Sequence, residues 1–256
     1  TIDGGIGNVT VARAVGGTES AETVIRAGGD IAVQSVDDEG ELLKLAAGGD
    51  VTVNGKYSTV ASDVDVVAGN NVRINGEVIS QQGHVGIAAD TGDVWLNGGI
   101  TAGKNVDVTA GRDVFGDAAA NIAADNGGIT VAAGRDIELK GSQQAKAVTN
   151  TAGNDLKVGG AITATEGDAT LTAGNNLQAD GDITASEGVA LMAREGSVKA
   201  GKIKAGDEFN AWVHGAIDTT INGMVEAKDV TISAGTGDVR LNGGITAGKD
   251  VEVVAG

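Results

Sequence analysis

Residues 237–256 read GDVRLNGGITAGKDVEVVAG, and residues 92–111 read GDVWLNGGITAGKNVDVTAG. Sixteen of these twenty positions are identical across an offset of 145 residues. Self-similarity of this kind decides the architecture before local propensity does, because a repeat unit buries its apolar face only by stacking on its neighbours. A shorter period lies inside the long one. Residues 151–167 (TAGNDLKVGGAITATEG) and 172–188 (TAGNNLQADGDITASEG) agree at eleven of seventeen positions with an offset of 21. The offset of 145 is then seven units, so the copied twenty-mer is one unit that returns seven units later, the mark of a duplicated block.

Stacking the strand starts at this period gives three apolar columns. The first runs through Val24, Leu43, Val64, Val85, Val106, Ile129, Val148, Ala169, Val189, Phe209, Val230 and Val251. The second runs through Ile31, Val51, Val72, Val94, Val114, Ile137, Leu156, Leu177, Val198, Ile217 and Val239. A third, weaker column holds Val78, Ile100, Ile122, Ile162, Ile183, Ile203, Val225 and Ile245. Within the strands apolar and polar residues alternate, as in Val251-Glu252-Val253 and Ile137-Glu138-Leu139, which turns one set inward and the other to solvent. The third column reads Ile-Thr-Ala at 100–102, 162–164, 183–185 and 245–247, and the small second inward residue predicts a tight corner. Strands this short gain long ladders only by bonding to the equivalent strand of the next coil. The sequence therefore predicts an all-β parallel β-helix of about 12 coils of about 21 residues, three short strands per coil, running as one continuous segment over 1–256. At a strand spacing of about 4.8 Å such a stack is a rod of about 55 to 60 Å.

Composition fits this reading. The chain has 43 Gly, no Pro and only five aromatic residues, so its core must be narrow and filled by small branched side chains. Regularly spaced β-branched residues argue against a disordered Gly-rich chain. No cysteine is present, which removes disulfides and thiolate metal sites. The net charge of −17 opposes nucleic acid and anionic lipid, which demand a basic footprint. No apolar run reaches the length of a membrane span and no signal peptide is visible; with Thr1 first, the sequence reads as a segment of a longer protein.

Ala-Gly-x-Asx or a close relative precedes most second-column strands, which stacks Asp30, Asp50, Asn71, Asp93, Asp113, Asp136, Asp155, Asn176 and Asp238. The structural expectation is a turn in which Gly supplies positive φ and the Asx oxygen accepts a nearby backbone N–H. The rival is a calcium ladder formed by Asp30, Asp50, Asp93, Asp113, Asp136, Asp155 and Asp238, whose carboxylates would recur once per coil. Asn and Ser197 interrupt that column, and the Gly-Gly-x-Gly-x-Asp nonapeptide of calcium rolls has only the imperfect match GGIGN at 4–8, so no cofactor is expected.

Other features read as structural. Asn8-Val9-Thr10 is the single glycosylation tripeptide and falls on a strand; DDEGE at 37–41 reads as a solvated loop. His84 precedes a strand, His214 is expected in a turn, and their separation along the repeat argues against a shared metal site. Trp95 and Trp212 differ in register, and no nucleophile elbow, zincin, Walker or dinucleotide motif is present. Irregular coil connections are expected at 13–26, 115–128 and 140–151, where a solenoid would place binding loops if it had them.

Recurrent AGGDI, AGNN, AGRDI, GGITAGK and LTAGNNL within units of about 20 residues resemble the haemagglutinin repeat region of filamentous haemagglutinin-like exoproteins, the secreted partners of bacterial two-partner secretion. That resemblance covers nearly the whole chain. It implies a right-handed β-helix, a hand also favoured by parallel crossovers in general. It further implies an extracellular shaft at the surface of a Gram-negative bacterium, serving adhesion, aggregation or biofilm. The implied partners are a host or neighbouring-cell glycan or protein, an outer-membrane secretion partner engaged by regions outside this segment, and copies of the chain itself, head-to-tail or laterally. Nucleic acid and membrane insertion are not expected. The family's Asn-Pro-Asn secretion signatures and Val-Glu-Asn-Asn toxin boundary are absent, and no catalytic residue carries over, so the expectation is a non-enzyme. The alternative is a carbohydrate-binding or polysaccharide-degrading β-helix, which would gather acids and aromatics in one groove.

Overall fold

A computed structural model describes residues 1–15, 22–38, 42–60 and 63–256. The expected DDEGE loop lies largely outside the described residues, as does the middle of the 13–26 departure. All regular structure among the described residues is β, and every strand pair is parallel. The chain divides into two units, Thr1–Ala133 and Gly134–Gly256.

In the first unit each coil contributes one strand to each of three sheets. Typical is the coil built of Val85–Ala89, Val94–Leu96 and Ile100–Ala102. Register is residue on residue: Val64 pairs Leu43 and Val85, Val72 pairs Val51 and Val94, and Ile100 pairs Val78 and Ile122. In the second unit Ala169 pairs Val148 and Val189, Leu177 pairs Leu156 and Val198, and Ile183 pairs Ile162 and Ile203. This is the coil-on-coil β-solenoid that the period predicts, with three strands per coil.

The pleat explains the core. Val85, Ile87 and Ala89 point inward and are buried, while Gly86 and Ala88 between them are half-buried on the outer side. Each inward side chain rests on its equivalent one coil away, so β-branched residues stack in rows and the interior needs no large aromatic rings. Tyr57 is the exception, fully buried in the third sheet between Val36 and Val78.

Three expected column members are displaced. Thr23, not Val24, lies in register with Leu43, whereas Ile25 belongs to the next inward row with Ile2 and Leu45; Val24, opposite Lys44, is buried all the same. Ala211, not Phe209, pairs Val189 and Val230, and Phe209 stands exposed at the preceding corner. Thr219, not Ile217, pairs Val198 and Val239. Its hydroxyl accepts the Gly215 N–H at 3.0 Å and donates to the Ser233 carbonyl at 2.7 Å, so a polar residue is tolerated inside while Ile217 turns outward.

Glycine serves the turns for a reason other than the expected one. Among the described residues the only positive φ belongs to Gly5, at 58°. The turn glycines are instead required by crowding: a Cβ on Gly69 would overlap the carbonyl oxygen of Gly48, and one on Gly174 that of Gly153. At these positions the stacked corners leave no room for a methyl group.

The two described departures are mild. After Val114–Gly116 the chain makes a corner in which Asp117 Oδ1 accepts the Ala119 N–H at 2.7 Å, and Ala120 tucks inward before Ile122–Ala124. Residues 140–151 form ordinary strands, Gln143–Ala145 and Val148–Ala152.

Candidate functional site

Within each unit the expected Asx column is a side-chain ladder, and its bonds run from coil to coil. In the first unit Asn8 Oδ1 accepts the Asp30 N–H (2.8 Å), Asp30 that of Asp50 (2.9 Å), Asp50 that of Asn71 (3.0 Å), Asn71 that of Asp93 (3.0 Å) and Asp93 that of Asp113 (3.2 Å). In the second unit Asp136 accepts from Asp155 (3.0 Å), Asp155 from Asn176 (3.0 Å) and Asn176 from Ser197 (3.1 Å). Ser197 Oγ then accepts from Asp218 (3.2 Å), and Asp218 from Asp238 (2.9 Å). The row needs only an acceptor oxygen of short reach, which is why Asp, Asn and Ser interchange in it. Asp218 completes the row and escaped the sequence reading because Ile217 had been assigned to the strand. Asn8, the glycosylation tripeptide's asparagine, is the first described rung.

The local Asx turn is thus replaced by a bond across about 21 residues of chain. Each rung caps a backbone N–H at the entrance to the second-sheet strand. Some rungs accept more than one bond: besides the Asn71 N–H, Asp50 accepts from Asn70 Nδ2 at 2.7 Å and Asn71 Nδ2 at 3.0 Å, and Asp155 repeats the pattern with Asn175 and Asn176. Asp50→Ala is expected to destabilise the first unit by about 1 to 2 kcal/mol, and Asp50→Asn by less, as read from urea midpoints.

Of the carboxylates of the calcium reading, Asp30, Asp50, Asp93, Asp136 and Asp155 therefore each direct an oxygen at the next coil's amide, and Asp238 accepts from Arg240 Nη2 at 2.9 Å. Asp93 is also clamped by Arg112, with Nε at 3.0 Å and Nη2 at 2.7 Å. Among the described residues no three His, Cys, Asp or Glu side chains converge as a metal-binding group.

A second ladder, not anticipated, stands before the first-sheet strands. Asp63 Oδ1 accepts the His84 N–H at 2.8 Å and Asn105 Oδ1 that of Gly128 at 3.0 Å. Asp168 accepts from Gly188 at 2.7 Å and Asp229 from Asp250 at 3.1 Å. The signal was an Asx directly before a first-column residue, diluted by His84, Gly128 and Gly188 in the same row. In a third row carboxamides bond to one another: Asn75 Nδ2 donates to Asn54 Oδ1 (2.9 Å), Asn97 to Asn75 (2.8 Å) and, in the second unit, Asn242 to Asn222 (3.0 Å).

Both tryptophans face outward, on different sheets. Trp95 pairs Arg73 and Phe115 in register; the Arg73 guanidinium lies 4.5 Å from its ring centre and Phe115 stacks at 6.1 Å. Both ring faces are thereby occupied. Trp212 stands in the first sheet between Ala190 and Thr231 and stacks on His214 at 5.9 Å, above a shallow hollow bordered by Asp168 and Asn210. His214 lies within the strand Asn210–Gly215, not in the turn expected for it, because the register moves with Ala211. Its Nδ1 is 2.8 Å from Ser233 Oγ. His84 belongs to the first unit and His214 to the second.

The chain matches no protein-family model, no curated protein and no solved structure.

Proposed function

We propose that this chain is a non-catalytic structural segment of a large secreted bacterial surface adhesin, a shaft that carries adhesive regions away from a Gram-negative cell. The observation that supports this reading is the use made of the polar side chains. In both units the recurrent Asp, Asn and Ser of the corners bond to the next coil, so the repeated chemistry serves axial continuity. Stacked parallel coils suit length generation because each added coil repeats the same bonds. The repeat motifs resemble those of haemagglutinin-type exoproteins, and that resemblance supplies the secreted, cell-surface setting, the adhesive role and an outer-membrane secretion partner engaged elsewhere in the polypeptide.

A carbohydrate-binding reading is favoured by Trp212, whose partly exposed indole borders a hollow shared with Asp168, Thr170 and Asn210. An aromatic platform beside a carboxylate and an amide suits a pyranose ring. Immuno-electron microscopy of cells and secreted material bearing the native polypeptide separates the two. Thin rods with an axial repeat of about 4.8 Å are expected for the shaft. Compact particles that bind or cleave glycans would replace it with the second reading.

A further inference from the structure

The carboxamide row consists of Asn-Gly dipeptides at 54–55, 75–76, 97–98, 222–223 and 242–243. The glycines are imposed by stacking: a Cβ on Gly76 would overlap the Gly55 carbonyl oxygen, one on Gly98 that of Gly76, and one on Gly243 that of Gly223. The fold therefore repeats the dipeptide most prone to spontaneous deamidation. In that reaction the glycine nitrogen attacks the asparagine Cγ, closing a succinimide ring as its proton is lost. The Cγ–Nδ2 bond breaks and ammonia leaves. Water then opens the ring to aspartate or isoaspartate. Negative charge develops on Oδ1 during the attack, so a hydrogen bond donated to Oδ1 assists it, while one donated by Nδ2 restrains the leaving group.

The row separates these two effects. Asn54 and Asn222 accept from the following asparagine, at 2.9 and 3.0 Å, and do not donate into the row. Asn97 and Asn242 donate into the row and accept nothing from it, and Asn75 does both. Asn54 and Asn222 are exposed, so water reaches them. We infer that Asn54 and Asn222 are sites of self-catalysed deamidation, activated by the amide of the next coil, and that the donor asparagines are protected. A carboxylate at position 54 or 222 still accepts that amide, now as a charge-assisted bond, so conversion to aspartate leaves the row joined. Isoaspartate adds a backbone methylene at the crowded corner, and the defect accumulates with the age of the protein.

The test is peptide mapping by mass spectrometry of the intact chain held at physiological temperature and slightly alkaline pH. Deamidation at Asn54 and Asn222 is expected to exceed that at Asn97 and Asn242 about fivefold or more, the ratio one net hydrogen bond supports. Asn75→Ala removes the donor to Asn54 and is expected to slow reaction there while leaving Asn222 unchanged. Equal rates at the five positions overturn the inference. So does an unchanged or faster rate at Asn54 in Asn75→Ala, which would mean that looseness of the corner, not the donated bond, governs the chemistry.

Discussion

Asn150→Ala is expected to cost the second unit about 3 kcal/mol, whereas Asn150→Leu combined with Gln143→Ile is expected to be neutral or to stabilise it by about 1 to 2 kcal/mol. Gln143 and Asn150 are fully buried on neighbouring strands of one coil, joined by Asn150 Nδ2 to Gln143 Oε1 at 3.0 Å. Their other polar atoms, Gln143 Nε2 and Asn150 Oδ1, find no partner among the described residues. In the coil that follows, the same rows hold Ile162 and Leu171. Removing one amide strands its partner in an apolar interior and leaves a cavity. Replacing both restores the aliphatic rows and removes four buried polar atoms. A double-mutant cycle on urea midpoints measures the coupling, and hydrogen exchange of residues 134–155 localises it, since a solenoid need not unfold in one step. A double variant less stable than either single variant would show that the pair contributes more than its mutual hydrogen bond.

How much of this was legible in the sequence depends on how far apart the interacting residues lie. The coil period, the three sheets and their parallel register follow from rows such as Val64, Val85 and Val106, because each row repeats one residue type at nearly constant spacing. The misplacements share a cause. Bulk was used as the marker of an inward position, but a narrow interior accepts Ala211, and a hydroxyl with two partners lets Thr219 replace an aliphatic residue. Phe209 and Ile217 then occupy corners, where apolar side chains are least expected. The third column was weak because Tyr57 and Gln143 stand in it, one aromatic and one polar.

The site was half legible. The Asx positions could be read from Ala-Gly-x-Asx, but their partners could not, since local turn chemistry offers a donor two residues away and the fold supplies one a coil away. The second ladder shows the same limit. Its acceptors Asp63, Asn105, Asp168 and Asp229 are ordinary surface residues until stacking brings the next coil's N–H to them.

The reason for the turn glycines is open to a direct test, in which Gly174→Ala is expected to destabilise the second unit by about 3 kcal/mol. A methyl there would meet the Gly153 carbonyl oxygen, with the Gly153 carbonyl carbon at 2.8 Å, and both are backbone atoms held by coil stacking. Two other glycines separate crowding from backbone conformation. Gly5 has a φ of 58° and open space around its Cβ direction, so Gly5→Ala is expected to cost about 1 kcal/mol from the left-handed conformation alone. Gly159 has no positive φ, and its nearest atoms lie at 3.7 and 3.8 Å, so Gly159→Ala is expected to be neutral or to stabilise by up to about 1 kcal/mol through the unfolded chain. Thermal and urea unfolding of the three variants should follow that order. If Gly174→Ala proves as mild as Gly5→Ala, the corners have room to part, and coil spacing at the turns is set by the strands alone rather than by contact between glycines.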